Sequence, residues 1–302
     1  MTISLSDLLT KEPPFYKRVI KRKNHYAEHN SDIPSRYNAI PTGFSDIDQL
    51  CGLVEHGVNV IASVPAMGKT ALSINIALNI ASLKKSGLLK DINKIKYFNF
   101  ESTKEQFILR LLSNKSDIES DKIIKGILDK DEIIEIENAV EDLQALDFEV
   151  LQELPRNEED VLEYLDQTCN EGDVIFLDYL NLIVNNIRSE PYTSGVDFIR
   201  HLKLLAINRK VTFVILSQLN KKVDERPGHR PMMQDLPYGV LSNHADLIMF
   251  LLRREYYDPM DKPGMAEIII GKNRNGCLGC VNLVFRKEIS QFCNYIPINT
   301  FE

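Results

Sequence analysis

The chain has 302 residues, 44% of them hydrophobic, enough for one large domain with an extension. Its net charge of −7 excludes a protein that coats nucleic acid electrostatically, so any nucleic-acid contact has to be local or built by several copies. No apolar stretch approaches the roughly 20 residues of a membrane span, and residues 1–7 lack signal-peptide regions, so a cytoplasmic protein with no membrane partner is expected.

Residues 1–38 are polar, with Lys17, Arg18, Lys21, Arg22 and Lys23 clustered after Pro13-Pro14. The segment is too small for its own core and reads as an arm or linker, leaving residues 39–302 as the main domain. From Pro41 onward apolar runs recur at 58–62, 95–100, 148–151, 174–177, 211–216, 247–252 and 266–271. Helical patterns lie between several of them, at 71–81, 104–112, 132–146, 158–169 and 196–208. Short strands that are apolar on both faces, separated by helices, predict an α/β fold whose mostly parallel central sheet is covered on both faces. Late runs joined by turns predict an antiparallel extension at one edge. Of five cysteines, Cys277 and Cys280 fall between the runs 266–271 and 281–285. No second Cys/His pair completes a metal site, so a hairpin turn is expected there.

After the run 58–62, the segment Ser63-Val64-Pro65-Ala66-Met67-Gly68-Lys69-Thr70 leads into the helical pattern. Strand, loop and helix in that order are what a phosphate-cradling P-loop requires. The Lys69 ammonium can reach terminal phosphates, the Thr70 hydroxyl can ligate Mg²⁺, and N–H groups at the helix start face phosphate oxygens. Ser63 stands where the pattern usually has its first glycine.

A parallel α/β domain binds ligand at the carboxyl ends of its strands, so polar residues directly after apolar runs are the candidates. Asp178 follows Val174-Ile175-Phe176-Leu177, the form of a Walker B strand, where a carboxylate holds Mg²⁺ directly or through water. Glu101 follows Tyr97-Phe98-Asn99-Phe100 and can either polarise an attacking water or charge a helix start capped by Ser102 or Thr103. Gln218 follows Val214-Ile215-Leu216-Ser217, where an amide senses a γ-phosphate without adding charge, or is simply a loop residue. Lys272-Asn273-Arg274 follows Ile268-Ile269-Ile270-Gly271. In an extended chain its two cations face one direction, either to stabilise a transferring phosphoryl group in trans or to form a basic hairpin surface.

The segments Pro41-Thr42-Gly43-Phe44-Ser45-Asp46-Ile47-Asp48 and Pro65-Ala66-Met67-Gly68-Lys69-Thr70 resemble the start of the RecA-like motor domain of DnaB-type replicative helicases. Further blocks agree in order: 99–106, 177–182, 216–220, 245–250 and 266–276, so the resemblance spans about residues 38–295. That family also tolerates a non-glycine at the position of Ser63. The resemblance implies a P-loop ATPase that assembles as a ring, usually a hexamer, moving 5′ to 3′ on single-stranded DNA with ATP and Mg²⁺ at subunit interfaces. It implies ATP contacts for Pro65, Ala66, Met67, Gly68, Lys69, Thr70 and Asp178, with Thr70 and Asp178 at the metal. It implies Glu101 as catalytic carboxylate, Gln218 as γ-phosphate sensor, and Lys272 and Arg274 as the basic pair presented to a neighbour's nucleotide.

Two departures stand out. With at most residues 1–38 ahead of the motor, the family's N-terminal collar is expected to be absent. The remnant resembles the arm that packs on an adjacent subunit. In the DNA-contacting loop, the family's Arg-Glu-Ser-Gly is replaced by Pro237-Tyr238-Gly239, which loses an arginine and a backbone donor. Tyr238, beside Gly239, can stack on a base instead or pack within the loop. Ser242, Asn243 and His244 replace further family positions. The leading expectation is a collarless helicase motor of a phage, plasmid or other mobile element, with a loader among its candidate partners. The competing one is an ATP-binding protein that co-assembles with or antagonises another helicase or its loader without unwinding DNA. A recombination or clock-type ATPase shares the fold but not these blocks.

Overall fold

The computed structural model describes residues 39–152, 157–178, 180, 191–237 and 240–296. The expected arm at 1–38 and the pair Tyr238-Gly239 lie outside them. The fold begins with a small antiparallel pair, β1 (Ala39–Ile40) and β2 (Leu53–Val54), closed over helix α1 (Ser45–Leu50). Buried Asp48 fastens this turn, its carboxylate accepting from Thr42 N at 2.7 Å, the Thr42 hydroxyl at 2.8 Å and Gly43 N at 3.0 Å.

Five βα steps follow. Strand β3 (Val58–Ser63) is buried throughout, and α2 (Lys69–Lys85) packs ten consecutive or near-consecutive buried side chains beneath it. The helix outruns the expected 71–81 because Lys84 and Lys85 suit the negative end of its dipole. Strand β4 (Ile95–Asn99) leads to α3 (Lys104–Ser116), α4 (Ser120–Lys125) and α5 (Lys130–Gln144). Capping boxes fix the starts of two of these: Thr103 with Gln106, and Asp129 with Glu132. The second places the start of α5 two residues before the expected 132. Then come β5 (Phe148–Leu151), α6 (Glu158–Thr168), β6 (Val174–Asp178), α7 (Pro191–Asn208) and β7 (Thr212–Gln218). After a stretch of short turns, α8 (Val240–His244) precedes β8 (Leu247–Leu252), β9 (Met265–Asn273), β10 (Gly279–Arg286) and β11 (Gln291–Asn294).

Among the described residues one sheet has nine strands in the order β11-β10-β9-β8-β3-β7-β6-β4-β5. From β8 to β5 every pairing is parallel, and β9, β10 and β11 add on antiparallel at one edge. The expected extension is therefore present, with two differences. Strand β8 belongs to both parts, and the short β11, too polar to stand out in the sequence, closes the edge. The β9–β10 connection holds Cys277 in the expected hairpin turn. The β8–β9 ladder carries a bulge: Ile248 pairs Lys272 and Met249 pairs Ile270, which leaves Gly271 as the extra residue. A Cβ on Gly271 would lie 2.3 Å from the Phe250 ring, so only glycine fits there.

The core runs along both faces of the sheet. Asn59, a polar group buried within it, joins β3 to its neighbours. Its side chain accepts from Val54 N at 2.7 Å and donates to the Val54 and Phe213 carbonyls at 3.1 Å. No helix among the described residues is long and apolar enough to cross a membrane.

Candidate active site

The loop between β3 and α2 takes two positive-φ residues in quick succession, Ala66 at +61° and Gly68 at +98°. Met67 is buried and pins the loop, while Pro65 and Ala66 are exposed at its crest. Gly68 is the N-cap of α2, and no side chain caps the helix, so its first N–H groups are left for an anion. A Cβ on Gly68 would touch the rings of Phe285 and Phe292 at 3.4 Å. Backbone strain of about 1–3 kcal/mol is expected for a non-glycine residue at such a φ. Gly68→Ala should therefore lower the melting temperature and weaken nucleotide-analogue binding several-fold in a fluorescence titration; wild-type affinity would show that the loop tolerates it.

Ser63, buried where a glycine is usual, is accommodated by its hydroxyl. Its Oγ donates to the Val64 carbonyl at 2.7 Å and accepts from Lys69 Nζ at 3.3 Å. Lys69 Nζ also donates to the Ser63 carbonyl at 3.3 Å, so the ammonium lies across the mouth of the loop. Burial lowers the Lys69 pKa, and the Asp178 and Glu101 carboxylates act in the opposite direction.

Asp178 ends β6 in register with Asn99, and its side chain is buried. Its Oδ2 accepts from the Tyr97 hydroxyl at 3.0 Å, which in turn lies 2.7 Å from Ser73 Oγ of α2. Oδ1 has no partner at hydrogen-bonding distance. A buried carboxylate oxygen left bare, beside the Thr70 hydroxyl, is a donor set that suits a hard cation or its water. The residues present therefore fit Mg²⁺.

Burial pushes the Asp178 pKa up from 3.8 to about 6, with the Thr70 and Tyr97 hydroxyls pulling down and Glu101 pushing further up. The folded chain thus holds this proton more tightly than the unfolded chain. Stability from this group falls as pH rises between about 4 and about 6, by about 3 kcal/mol in all. Asp178→Asn should raise the melting temperature at about pH 7.5 without metal or nucleotide, and the gain should vanish near pH 4. Equal gains at both pH values would refute this account.

Glu101 is exposed two residues beyond β4, ahead of the Thr103 cap of α3. Thr103 is thus the cap of this helix, and the Glu101 carboxylate acts electrostatically on Lys69 and Asp178. Gln218 ends β7 directly opposite Ser63. The carboxyl edge of the parallel strands therefore gathers Ser63, Lys69, Thr70, Glu101, Asp178 and Gln218.

Lys272 and Arg274 are not among them. Because β9 runs antiparallel to β8, its carboxyl end lies at the amino edge of the parallel strands. Along β3, the residue level with Leu247 is Asn59, about 13 Å short of Ser63 at ~3.3 Å per residue. Both cations face one direction, as the extended chain requires. Lys272 Nζ donates to the Ser242 carbonyl at 2.7 Å, and Arg274 Nη2 to the Asn243 carbonyl at 2.9 Å, at the end of α8. Burial, then the neighbouring Arg274 charge, lowers the Lys272 pKa.

Three further residues belong to these surroundings. Tyr97 holds Asp178, and Asp246 faces Arg274 at 3.5 Å. Arg253 reaches the Ala66 carbonyl at 3.5 Å while its guanidinium lies 4.5 Å over the Phe285 ring. Arg253 directly follows the run 247–252, so the strand-end criterion applied to Asp178 also marks it. The loop before Tyr238 is stapled down: Arg226 donates to both Asp235 oxygens at 2.8 and 2.9 Å, and Asp235 accepts from Met232 N at 2.7 Å.

Comparison with known proteins matches residues 39–294 to the family described as DnaB-like helicase C terminal domain. A probable plasmid replicative DNA helicase of Chlamydia psittaci is 32% identical over 277 residues, covering 87% of this chain and 58% of that protein. The replicative DNA helicase DnaB of Buchnera aphidicola subsp. Baizongia pistaciae is 34% identical over 266 residues, covering 85% of this chain and 56% of that protein. The chain thus spans less than two thirds of the length of these relatives. Among solved structures, one described as an ATPase domain superposes with a TM-score of 0.79 at 25% identity, covering 94% of this chain and 100% of that one. A DnaB-like replicative helicase solved for its interactions with primase superposes with a TM-score of 0.78 at 26% identity, covering 93% of this chain and 66% of that one. The matched stretch holds every strand of the sheet, the loop at Ser63–Thr70 and both groups of charged residues, and the chain belongs to the DnaB-like helicase C-terminal domain family.

Proposed function

We propose that the chain is an ATP-driven, ring-forming DNA helicase or translocase motor of the cytoplasm, acting 5′ to 3′ on single-stranded DNA in replication. The observation that carries this reading is the division of the machinery between two edges of one sheet. Lys69, Thr70, Glu101, Asp178 and Gln218 converge at the carboxyl edge, and Lys272 and Arg274 stand at the other, directed away from the chain's own P-loop. Such a chain supplies half of two sites.

In this reading Pro65 to Thr70 cradle the ATP phosphates and Lys69 neutralises their terminal charge. Glu101 orients and polarises the attacking water, and Gln218 reports the γ-phosphate. Thr70 and Asp178 hold Mg²⁺, which supplies charge neutralisation across the phosphates. Lys272 and Arg274 of one copy stabilise the transferring phosphoryl group in the next, in a ring that is hexameric in this reading. Residues 1–38 act as an arm on the motor domain 39–302, and Tyr238 and Gly239 contact DNA.

The altered loop around Pro237 favours a second reading, an interaction protein that binds ATP and joins or antagonises another helicase or its loader. ATP hydrolysis and fork unwinding, assayed together with and without single-stranded DNA, separate the two. DNA-stimulated hydrolysis with unwinding supports the motor. Slow hydrolysis indifferent to DNA, with no unwinding at any protein concentration, overturns it.

A further inference from the structure

We propose that Asp246 is the positioning residue for Arg274, an inference that rests on the reading of Arg274 as a cation acting on a neighbouring copy's nucleotide. Asp246 joins α8 to β8, and its carboxylate is almost fully buried. Oδ2 accepts from Val58 N at 2.8 Å, at the root of β3, and from Lys203 Nζ of α7 at 2.5 Å. Gly57 closes the third side, since a Cβ there would lie 2.7 Å from Oδ2. The carboxylate is thus fixed between β3 and α7, and its other oxygen, Oδ1, faces Arg274 Nη1 at 3.5 Å.

The main chain repeats the tie, with Arg274 N donating to the Asp246 carbonyl at 2.9 Å. With Nη2 on the Asn243 carbonyl, the guanidinium is held along one side while the residue's side chain remains 48% exposed. One carboxylate here serves Lys203 and Arg274, with Lys272 beside them, so the cluster keeps a positive surplus that an anion from outside can take up. Take away the carboxylate charge, and Lys203 and Lys272 repel the guanidinium from its seat. An arginine side chain freed in this way regains its rotamer freedom, and misplacement by about 1 Å costs on the order of 10²-fold in rate.

Asp246→Asn keeps an acceptor for Val58 N and removes the charge. Its kcat for ATP hydrolysis is expected to fall at least ~10-fold with KM for ATP within about threefold, because the P-loop is at the far edge of the sheet. The double variant Asp246→Asn/Arg274→Ala should be no slower than Arg274→Ala alone, the signature of two residues acting through one group. Mixing Asp246→Asn with Lys69→Ala copies should restore turnover, since the latter still offer an intact Arg274. Asp246→Ser serves as the second variant if the asparagine form does not fold. A wild-type kcat, failure of the mixture, or a double variant slower by the full single-variant factor would overturn the role. If Arg274→Ala itself turns over like wild type, the reading of Arg274 falls first, and that outcome is distinct from a failure confined to Asp246.

Discussion

Arg274→Ala is expected to reduce ATP turnover about 10³-fold, the lower end of what a charge delivered in trans contributes to phosphoryl transfer. Apparent affinity for ATP should change little, because Arg274 lies beyond the amino ends of the parallel strands and cannot reach its own copy's P-loop. The fold should also survive, since Asp246 keeps its bonds to Lys203 and Val58 N, and the arginine is half exposed. The decisive measurement is phosphate release from mixtures. Arg274→Ala copies retain a sound P-loop, and Lys69→Ala copies retain a sound Arg274, so an equimolar mixture should be more active than either variant alone. If the mixture is as inactive as its parts, the cation does not act across copies.

Lys69→Ala is expected to abolish hydrolysis to a comparable degree, about 10³-fold, by removing a preorganised cation from a water-poor site. Here the cause is local. Asp178 and Glu101 both act on the ammonium. Without it, two carboxylates and the ATP phosphates would face one another with no neutralising side chain from α2. Binding should suffer as well as turnover, in contrast to Arg274→Ala. The melting temperature should stay within a few degrees of wild type, since the Lys69 ammonium is tied by hydrogen bonds to Ser63 alone among the described residues. Residual hydrolysis above about one tenth of wild type would show that another cation does the neutralising.

Much of the carboxyl edge was legible in the sequence, for a physical reason. A strand buried on both faces must be a short, wholly apolar run, and the first polar residue after it has to emerge where parallel strands release their ligands. Asp178, Glu101 and Gln218 were marked by that argument, and the same criterion marks Arg253. Lys272 and Arg274, also chosen as residues after an apolar run, stand at the opposite edge, because the criterion by itself carries no strand direction. The run 266–271 looks like the others, yet its antiparallel pairing with β8 sends its carboxyl end the opposite way. The Asp246–Arg274 tie was also hidden, because it depends on β8 and β9 lying side by side. Nor did the spacing disclose how Ser63 is tolerated. That required seeing its hydroxyl between the Val64 carbonyl and Lys69. Strand β11 escaped because Gln291 and Asn294 break its apolar run.

The bulge at Gly271 sets the side to which Lys272 and Arg274 are aimed. Side chains alternate along a strand, so in an unbroken β9 Lys272 and Arg274 would project on the same side as Ile268 and Ile270. One extra residue reverses that parity. Lys272 comes level with Ile248 while Ile270 remains level with Met249, and both cations turn to the side where α8 ends. Their aim is thus a matter of counting rather than of chemistry. A sequence with the same Lys and Arg but one residue fewer in this strand would point both charges the other way. In an alignment, a gap at Gly271 therefore matters more than many substitutions around it.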